Sequence, residues 1–420
     1  MTNDQVKPQL RVSLLGFGRV GSNVYRLLME RQAEIERITG QTVVVAHILV
    51  KDQAELEAVD AERSLLTTDI AEALDTDVVV EMIGRQEPAR SYVLDAIASG
   101  CDVVTSNREL VIAFAEELFT AVKREEVQFL FGATVGTATP ILELVHRHLA
   151  VAGIDGMIGI FTGSANYVLA EMDKKLLRSE DVLPTLTPMC QPDLTGWDSA
   201  SKIALVSAAA FGVRIQAADI PAEGIEKVKL TDVAYAMDLG YRLRLLGLAR
   251  RDGKRIFAAV FPALIPADSL LTRTGKESIM VTARGPAFGE VTLRGPGAGG
   301  LPTACAVVAD VVSLAQGFKR ATLDLGAMSH ADLAPIEEQS FAFYARLRLE
   351  STKVTRFLSR LRELHVTASV KREEAIENLE IVIITDPMPD GLFRAVLKDL
   401  QNSGIIVEVK AVYRIVHPYS

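Results

Sequence analysis

At 420 residues, with 49% apolar residues and a mean hydropathy of +0.22, the chain can bury several sizeable cores, so a disordered tail is excluded. A formal charge of −9 excludes a general nucleic-acid binder, because phosphate contacts need a basic face that the chain lacks. There is no charged and then apolar leader, and no apolar run of the roughly 18 to 20 residues that a membrane span requires, so the expectation is a cytoplasmic protein with no membrane partner.

From residue 10 to about 130, short β-branched runs alternate with helical stretches: RVSLLGFG, VVVAHILVK, DVVVEMIG, CDVVTSN and VQFLFGATV. Strands separated by crossover helices predict a parallel, doubly wound α/β domain. Gly16, Gly18 and Gly21 fit G-x-G-x-x-G at its first strand-to-helix turn, where small residues let a pyrophosphate approach backbone N–H groups at a helix N-terminus. Alone, three glycines equally describe a tight turn. The strand before, the helix after and the alternating unit downstream favour a cofactor cradle. At the end of the second strand, where an acid would hold a ribose 2′-hydroxyl, stand Val50 and Lys51. A cation there suits a 2′-phosphate and favours NADP over NAD; the other reading is a solvated strand-end lysine.

From about 150 to 330 the pattern turns to more strand, with the glycine-rich stretch RGPAFGEVTLRGPGAGG and a long helix expected to begin near Thr303. LRGPGAGG reads either as a phosphate-binding loop or as a plain connection into that helix. This stretch predicts an α+β substrate and assembly domain. After a linker, residues 340–420 read strand, helix, strand, strand, helix, strand, the order of a ferredoxin-like small domain. Cys101, Cys190 and Cys305 stand too far apart for a disulfide framework or a zinc site, and His146 and His148 fall on different helix faces.

Five blocks together resemble the homoserine dehydrogenase family, in its three-domain form with a C-terminal ACT domain. They are GFGRVGSNV; LTTD with VVVEMIGRQEPAR; ATVGTATPIL; GIFTGSANYVL; and DLTGWDSASK, followed by GPGAGGLPTACAVVAD. The resemblance implies a Rossmann-type NAD(P)-binding domain over residues 1–135, a substrate and dimerisation domain over 136–325 and an ACT-like domain over 338–420. The implied activity is reversible, NADP-dependent hydride transfer between L-homoserine and L-aspartate 4-semialdehyde, in threonine, methionine and isoleucine biosynthesis. It further implies a homodimer or higher homo-oligomer, a small amino-acid substrate, and a cofactor held by Gly16, Phe17, Gly18, Arg19, Val20, Gly21, Lys51, Ile83, Ser106, Asn107 and Arg108.

The residues of the last block suit that chemistry. Hydride delivered to an aldehyde carbon leaves an alkoxide that needs a positive group and a proton. Lys202 is the candidate donor. It lies four residues after Asp198 in a helical stretch, so both side chains leave one face. Asp198 and Asp193 are candidates to hold the substrate ammonium; either could instead be a helix cap. Trp197 is expected to pack beside the site.

Departures from the family pattern cluster at the same place. Thr187 stands where the family has a substrate-binding Glu, Arg108 where it has Lys, and Gly132 where it has the carboxylate of a monovalent-cation site, which leaves backbone carbonyls around Val135. Thr162 and Ala165 replace Asn and Thr. An unpaired substrate ammonium would cost about 2 to 4 kcal/mol. These changes leave open a non-catalytic or substrate-altered NADP-binding paralogue with a sensing role. In the last domain Glu350, Ser351, Thr352 and Lys353 replace the Asp, Pro and Gly of an effector-binding turn, so a packing module is expected ahead of threonine sensing.

Overall fold

The structure, a computed structural model, describes residues 8–176, 179–182, 191–274, 278–317, 323–363, 368–373 and 378–418. The first sheet is built from β1 (Gln9–Leu15), β2 (Thr42–Leu49), β3 (Leu66–Thr67), β4 (Val78–Glu81), β5 (Asp102–Thr105) and β6 (Phe129–Leu130). Its order is β3-β2-β1-β4-β5-β6 and every pairing is parallel. Val12, Leu14, Val78, Val79 and Val80 are fully buried, as expected when helices cover both faces. The strand order reverses between β1 and β4, so the ligand crevice of this sheet opens at their carboxyl ends.

The second sheet contains β7 (Gly156–Ile160), β8 (Tyr241–Asp252), β9 (Arg255–Pro266), β10 (Ser278–Gly285), β11 (Gly289–Pro296), β12 (Ser340–Glu350), β13 (Ala368–Glu373), β14 (Asn378–Thr385) and β16 (Ile406–Ile415), with the two-residue β15 (Met388–Pro389) paired to β12. Its order is β11-β10-β7-β8-β9-β16-β12-β14-β13. The last four form the ferredoxin-like unit foreseen from the sequence, with helices Val354–Glu363 and Asp390–Asn402. That unit is not a separate bead. β16 pairs in parallel with β9 at Arg414↔Ala263 and Ile415↔Leu264, and Phe261, Phe341, Phe343 and Phe393 share one core. Strand pairing thus joins the C-terminal unit to the second sheet within the chain.

Two outcomes differ from the sequence reading. The long helix starts at Gly300, ahead of Thr303, and runs to Ala315. Moreover, it leaves the second sheet and returns to the first: Ala304, Val307 and Val311 are buried against Val12, Leu14, Val24 and Val78. The helix thus carries packing across the expected division between residues 135 and 136. No helix among the described residues is long and apolar enough to cross a membrane.

Candidate active site

The glycine loop closes the end of β1 by steric fit. Gly16 has φ +97° and donates its N–H to Leu49 O at 3.1 Å. A Cβ on Gly21 would fall 2.1 Å from Gly16 O, so the helix Gly21–Glu30 can start this close to the strand only with glycine there. Gly18 has nothing within 4 Å of a built Cβ, which leaves room for a ligand. No side chain caps that helix, whose Ser22 N–H is bonded back to Gly18 O at 3.0 Å. Phe17 is buried and Arg19 exposed, with Val20 between them in exposure. The GPGAGG stretch lands against this loop: a Cβ on Gly300 would meet Arg19 O at 2.6 Å. This proximity was not legible in the sequence, because the helix arrives from far along the chain.

Lys51 ends the second βα unit with its side chain 85% exposed, paired to Asp52 at 3.3 Å. Asp52 caps the next helix by accepting the Glu55 N–H at 2.9 Å. Ile83, Ser106 and Arg108 are half-buried along the carboxyl ends of β4 and β5. Asn107 is buried and caps the helix Arg108–Ala113, its Oδ1 accepting the Leu110 N–H at 3.1 Å.

A buried cluster of charged groups gathers at the start of the helix that follows Gly196. Gly196, with φ +85°, turns the chain into the helix Trp197–Phe211, where every residue from Asp198 to Phe211 is buried. Lys202 Nζ donates to Phe161 O at 2.8 Å and to Asp198 Oδ2 at 2.6 Å. Thr162 donates to the same Oδ2 at 2.8 Å, and Arg108 Nη2 donates to Oδ1. Burial pushes the Asp198 carboxyl up, but Lys202 and Arg108 outweigh it and hold the group well below the usual carboxylate range. The spacing of Asp198 and Lys202 is therefore a buried charge pair, distinct from the exposed helix pair such spacing usually gives. Because Arg108 begins the helix after β5, the cluster also ties the Trp197–Phe211 helix to the crevice of the first sheet.

Asp193 is half-buried and accepts from the Ser164 hydroxyl. Burial and the Asp198 charge raise its pKa. Asp198 is engaged by three donors, which leaves Asp193 the freer carboxylate of the two. Thr187 lies outside the described residues.

Comparison with known proteins gives a consistent answer. A family model described as homoserine dehydrogenase matches residues 140–312, and one described as homoserine dehydrogenase, NAD binding domain, matches residues 16–132. The chain is 30% identical to the homoserine dehydrogenase of Bacillus subtilis, over 97% of this chain and 98% of that one. The Synechocystis enzyme is likewise 30% identical, with 97% and 99% covered. The crystal structure of a homoserine dehydrogenase from Thiobacillus denitrificans superposes with a TM-score of 0.89 at 30% identity, covering 98% of this chain and 99% of that one.

The chain belongs to the homoserine dehydrogenase family. Like that family, it is an oxidoreductase with a nicotinamide-cofactor domain.

Two departures of this homoserine dehydrogenase acquire a structural setting. Gly132 does bring no carboxylate, but Asp310 of the Gly300–Ala315 helix accepts the Gly132 N–H at 3.0 Å, and a Cβ there would sit 3.1 Å from its Oδ2. Arg108 Nη1 meanwhile donates to Thr134 O at 3.4 Å. A fixed cation thus already lies on the loop before Val135, and the chain's residues fit a monovalent ion poorly at that point. Among the described residues no group of three or more His, Cys, Asp or Glu side chains could hold a metal. Trp197 differs from its expected packing role: it is 46% exposed, on the rim of a cavity of about 520 Å³ lined also by Phe114, Leu205 and Ile215.

Proposed function

We propose that the enzyme interconverts L-homoserine and L-aspartate 4-semialdehyde, with NADP as its cofactor and Lys202 as its proton donor and acceptor. The observation that carries this reading is the placement of Lys202. A buried ammonium has two of its three N–H groups fixed, on Phe161 O and on Asp198, and the third is left to a substrate oxygen.

The bound cofactor supplies the hydride to the aldehyde carbon or takes it from the alcohol carbon. In reduction, the carbonyl oxygen gains negative charge as hydride arrives, and the Lys202 ammonium stabilises it and gives it a proton. In oxidation the proton returns from the hydroxyl to the neutral Lys202 amine. Asp198 anchors Lys202 and Arg108 together, so both cations are present when charge develops. Arg108 stabilises charge but keeps its own proton. Asp193, with Ser164 beside it, holds the substrate ammonium. Gly16, Gly18 and Gly21, with Phe17, Arg19 and Val20, cradle the pyrophosphate; Ile83, Ser106 and Asn107 flank the nicotinamide end. No step runs through a metal.

The exposed Lys51, held only by a surface pair with its neighbour, supports NADP. A homodimer is the assembly we infer, since β11 forms one edge of the second sheet and no residue of it is fully buried. The free thiols of Cys101 and Cys305 suit a cytoplasmic location. Nothing in the Lys202 cluster favours the non-catalytic alternative.

The direct test is homoserine-dependent reduction of NADP, followed by nicotinamide absorbance. Turnover is expected, with NADP preferred to NAD; Lys51→Ala should narrow that preference by about tenfold, roughly 1.4 kcal/mol. Binding of NADPH without turnover of homoserine would refute the enzymatic reading.

A further inference from the structure

At the carboxyl end of β4 sits a buried carboxylate that neither the hydride step nor the proton step uses. Glu81 has no exposed surface. Its Oε1 accepts the Ile83 N–H at 2.7 Å and lies 3.5 Å from Asn107 Nδ2, and its Oε2 accepts the Thr105 hydroxyl at 2.5 Å. The Gly84 N–H is a further donor to it. Thr105 Oγ1 in turn accepts the Asn107 N–H at 2.9 Å, so its own proton is committed to Glu81.

Every one of these donors is uncharged, and burial raises the carboxyl's pKa. A polar group this far from water is costly unless its bonds are made, and an apolar residue could fill the same space without that cost. What an apolar residue could not do is hold two loops in register. Glu81 pairs with Leu15 of β1 on one side and with Thr105 of β5 on the other, at the reversal of strand order. Its side chain binds the turn after β4 and the turn after β5 together, and Asn107 Nδ2 closes the same link from the far side by donating to Arg85 O at 2.8 Å. Asn107 then caps the helix whose first residue, Arg108, grips Asp198.

We propose that Glu81 is a positioning residue: it fixes the Ile83–Arg85 and Thr105–Asn107 turns as one floor for the nicotinamide end of the cofactor, and through Asn107 it sets Arg108 on Asp198. This deepens the functional reading above and rests on it.

The test is Glu81→Gln. An amide cannot accept at both ends: with its oxygen on the Ile83 and Gly84 N–H groups, its NH2 must reverse the bond to Thr105 Oγ1, which takes from the buried Thr105 hydroxyl proton the acceptor that Glu81 supplied and weakens that tie. NADPH affinity is measured by fluorescence titration without substrate, then kcat and the homoserine KM at saturating cofactor. The folded variant is expected to bind NADPH at least about tenfold more weakly and to lose kcat, with the homoserine KM within about threefold of wild type. Thr105→Val should reproduce the affinity loss and Thr105→Ser should restore it. A folded Glu81→Gln protein with wild-type NADPH affinity and kcat overturns the proposal. Should that variant not fold, equal NADPH affinity in the Thr105→Val and Thr105→Ser proteins overturns it. Failure of the functional reading looks different: wild-type protein would bind NADPH, with the same variant effects, and leave homoserine unoxidised.

Discussion

In the mechanism we propose, Lys202 carries the proton, with two of its three N–H groups fixed on Phe161 O and Asp198, and substitution tests that role. Lys202→Arg keeps a cation near Asp198 but donates no proton, and Lys202→Met removes both. Each should lower kcat by about 10² to 10⁴-fold, the usual worth of a positioned acid or base, with cofactor affinity unchanged in a titration. Asp193 gives a pH prediction with a definite sign. Its carboxyl is raised above the ordinary range by burial and by Asp198, so it takes up a proton earlier as the medium is acidified. A protonated Asp193 cannot pair with an ammonium. The homoserine KM should therefore rise as pH falls, from a higher pH than an ordinary aspartate would give, and Asp193→Asn should flatten that limb while raising the KM across the range. Asp198 and Lys202 were legible because an acid and a lysine at helical spacing in an apolar stretch are conspicuous. Glu81 was not, since one acid ending VVVEMIG looks like any strand end; its meaning depends on Thr105 and Asn107, a crossover helix later.

At the scale of elements, the glycine loop was readable because its constraint is local. Gly21 must pass Gly16 O at a distance no Cβ tolerates, and a strand, a turn and a helix in succession announce that requirement. Gly21→Ala should push the Gly21–Glu30 helix off β1. The expected result is loss of NADPH binding together with a lower melting temperature; a protein that melts as wild type and still binds NADPH would show that the loop can yield. The Gly300–Ala315 helix shows the opposite case. Its apolar residues announce a buried helix but not which sheet it covers, and only the assembled chain shows that it caps β1 and the glycine loop. Helix identity lives in sequence periodicity, while the partner surface is a matter of long-range return.

Across the whole molecule, the C-terminal unit is tied by charge to the loop beneath the proposed substrate site. Arg414, at the end of β16, is buried against the Phe261 ring and donates to Asp390 at 2.7 Å and to Glu223 at 2.8 Å. Glu223 belongs to a loop that supports the segment leading into the Trp197–Phe211 helix. Ile225 donates its N–H to Leu194 O at 2.9 Å, and a Cβ on Gly196 would lie 3.3 Å from Glu223 O. Asp193 and Asp198 flank that segment, so the ACT-like unit bears on the two carboxylates for which we propose a part in the substrate site. Glu223→Gln leaves Arg414 its Asp390 partner and should cost little stability, while loosening the loop beneath Leu194 and Gly196. The expected outcome is a homoserine KM raised about three- to tenfold, on the order of 1 kcal/mol, with NADPH affinity unaltered. Arg414→Met should show the same KM effect with a larger fall in melting temperature, because Asp390 then loses its buried partner. If both variants melted lower but kept the wild-type KM, the contact would hold the two sheets together without reaching the substrate.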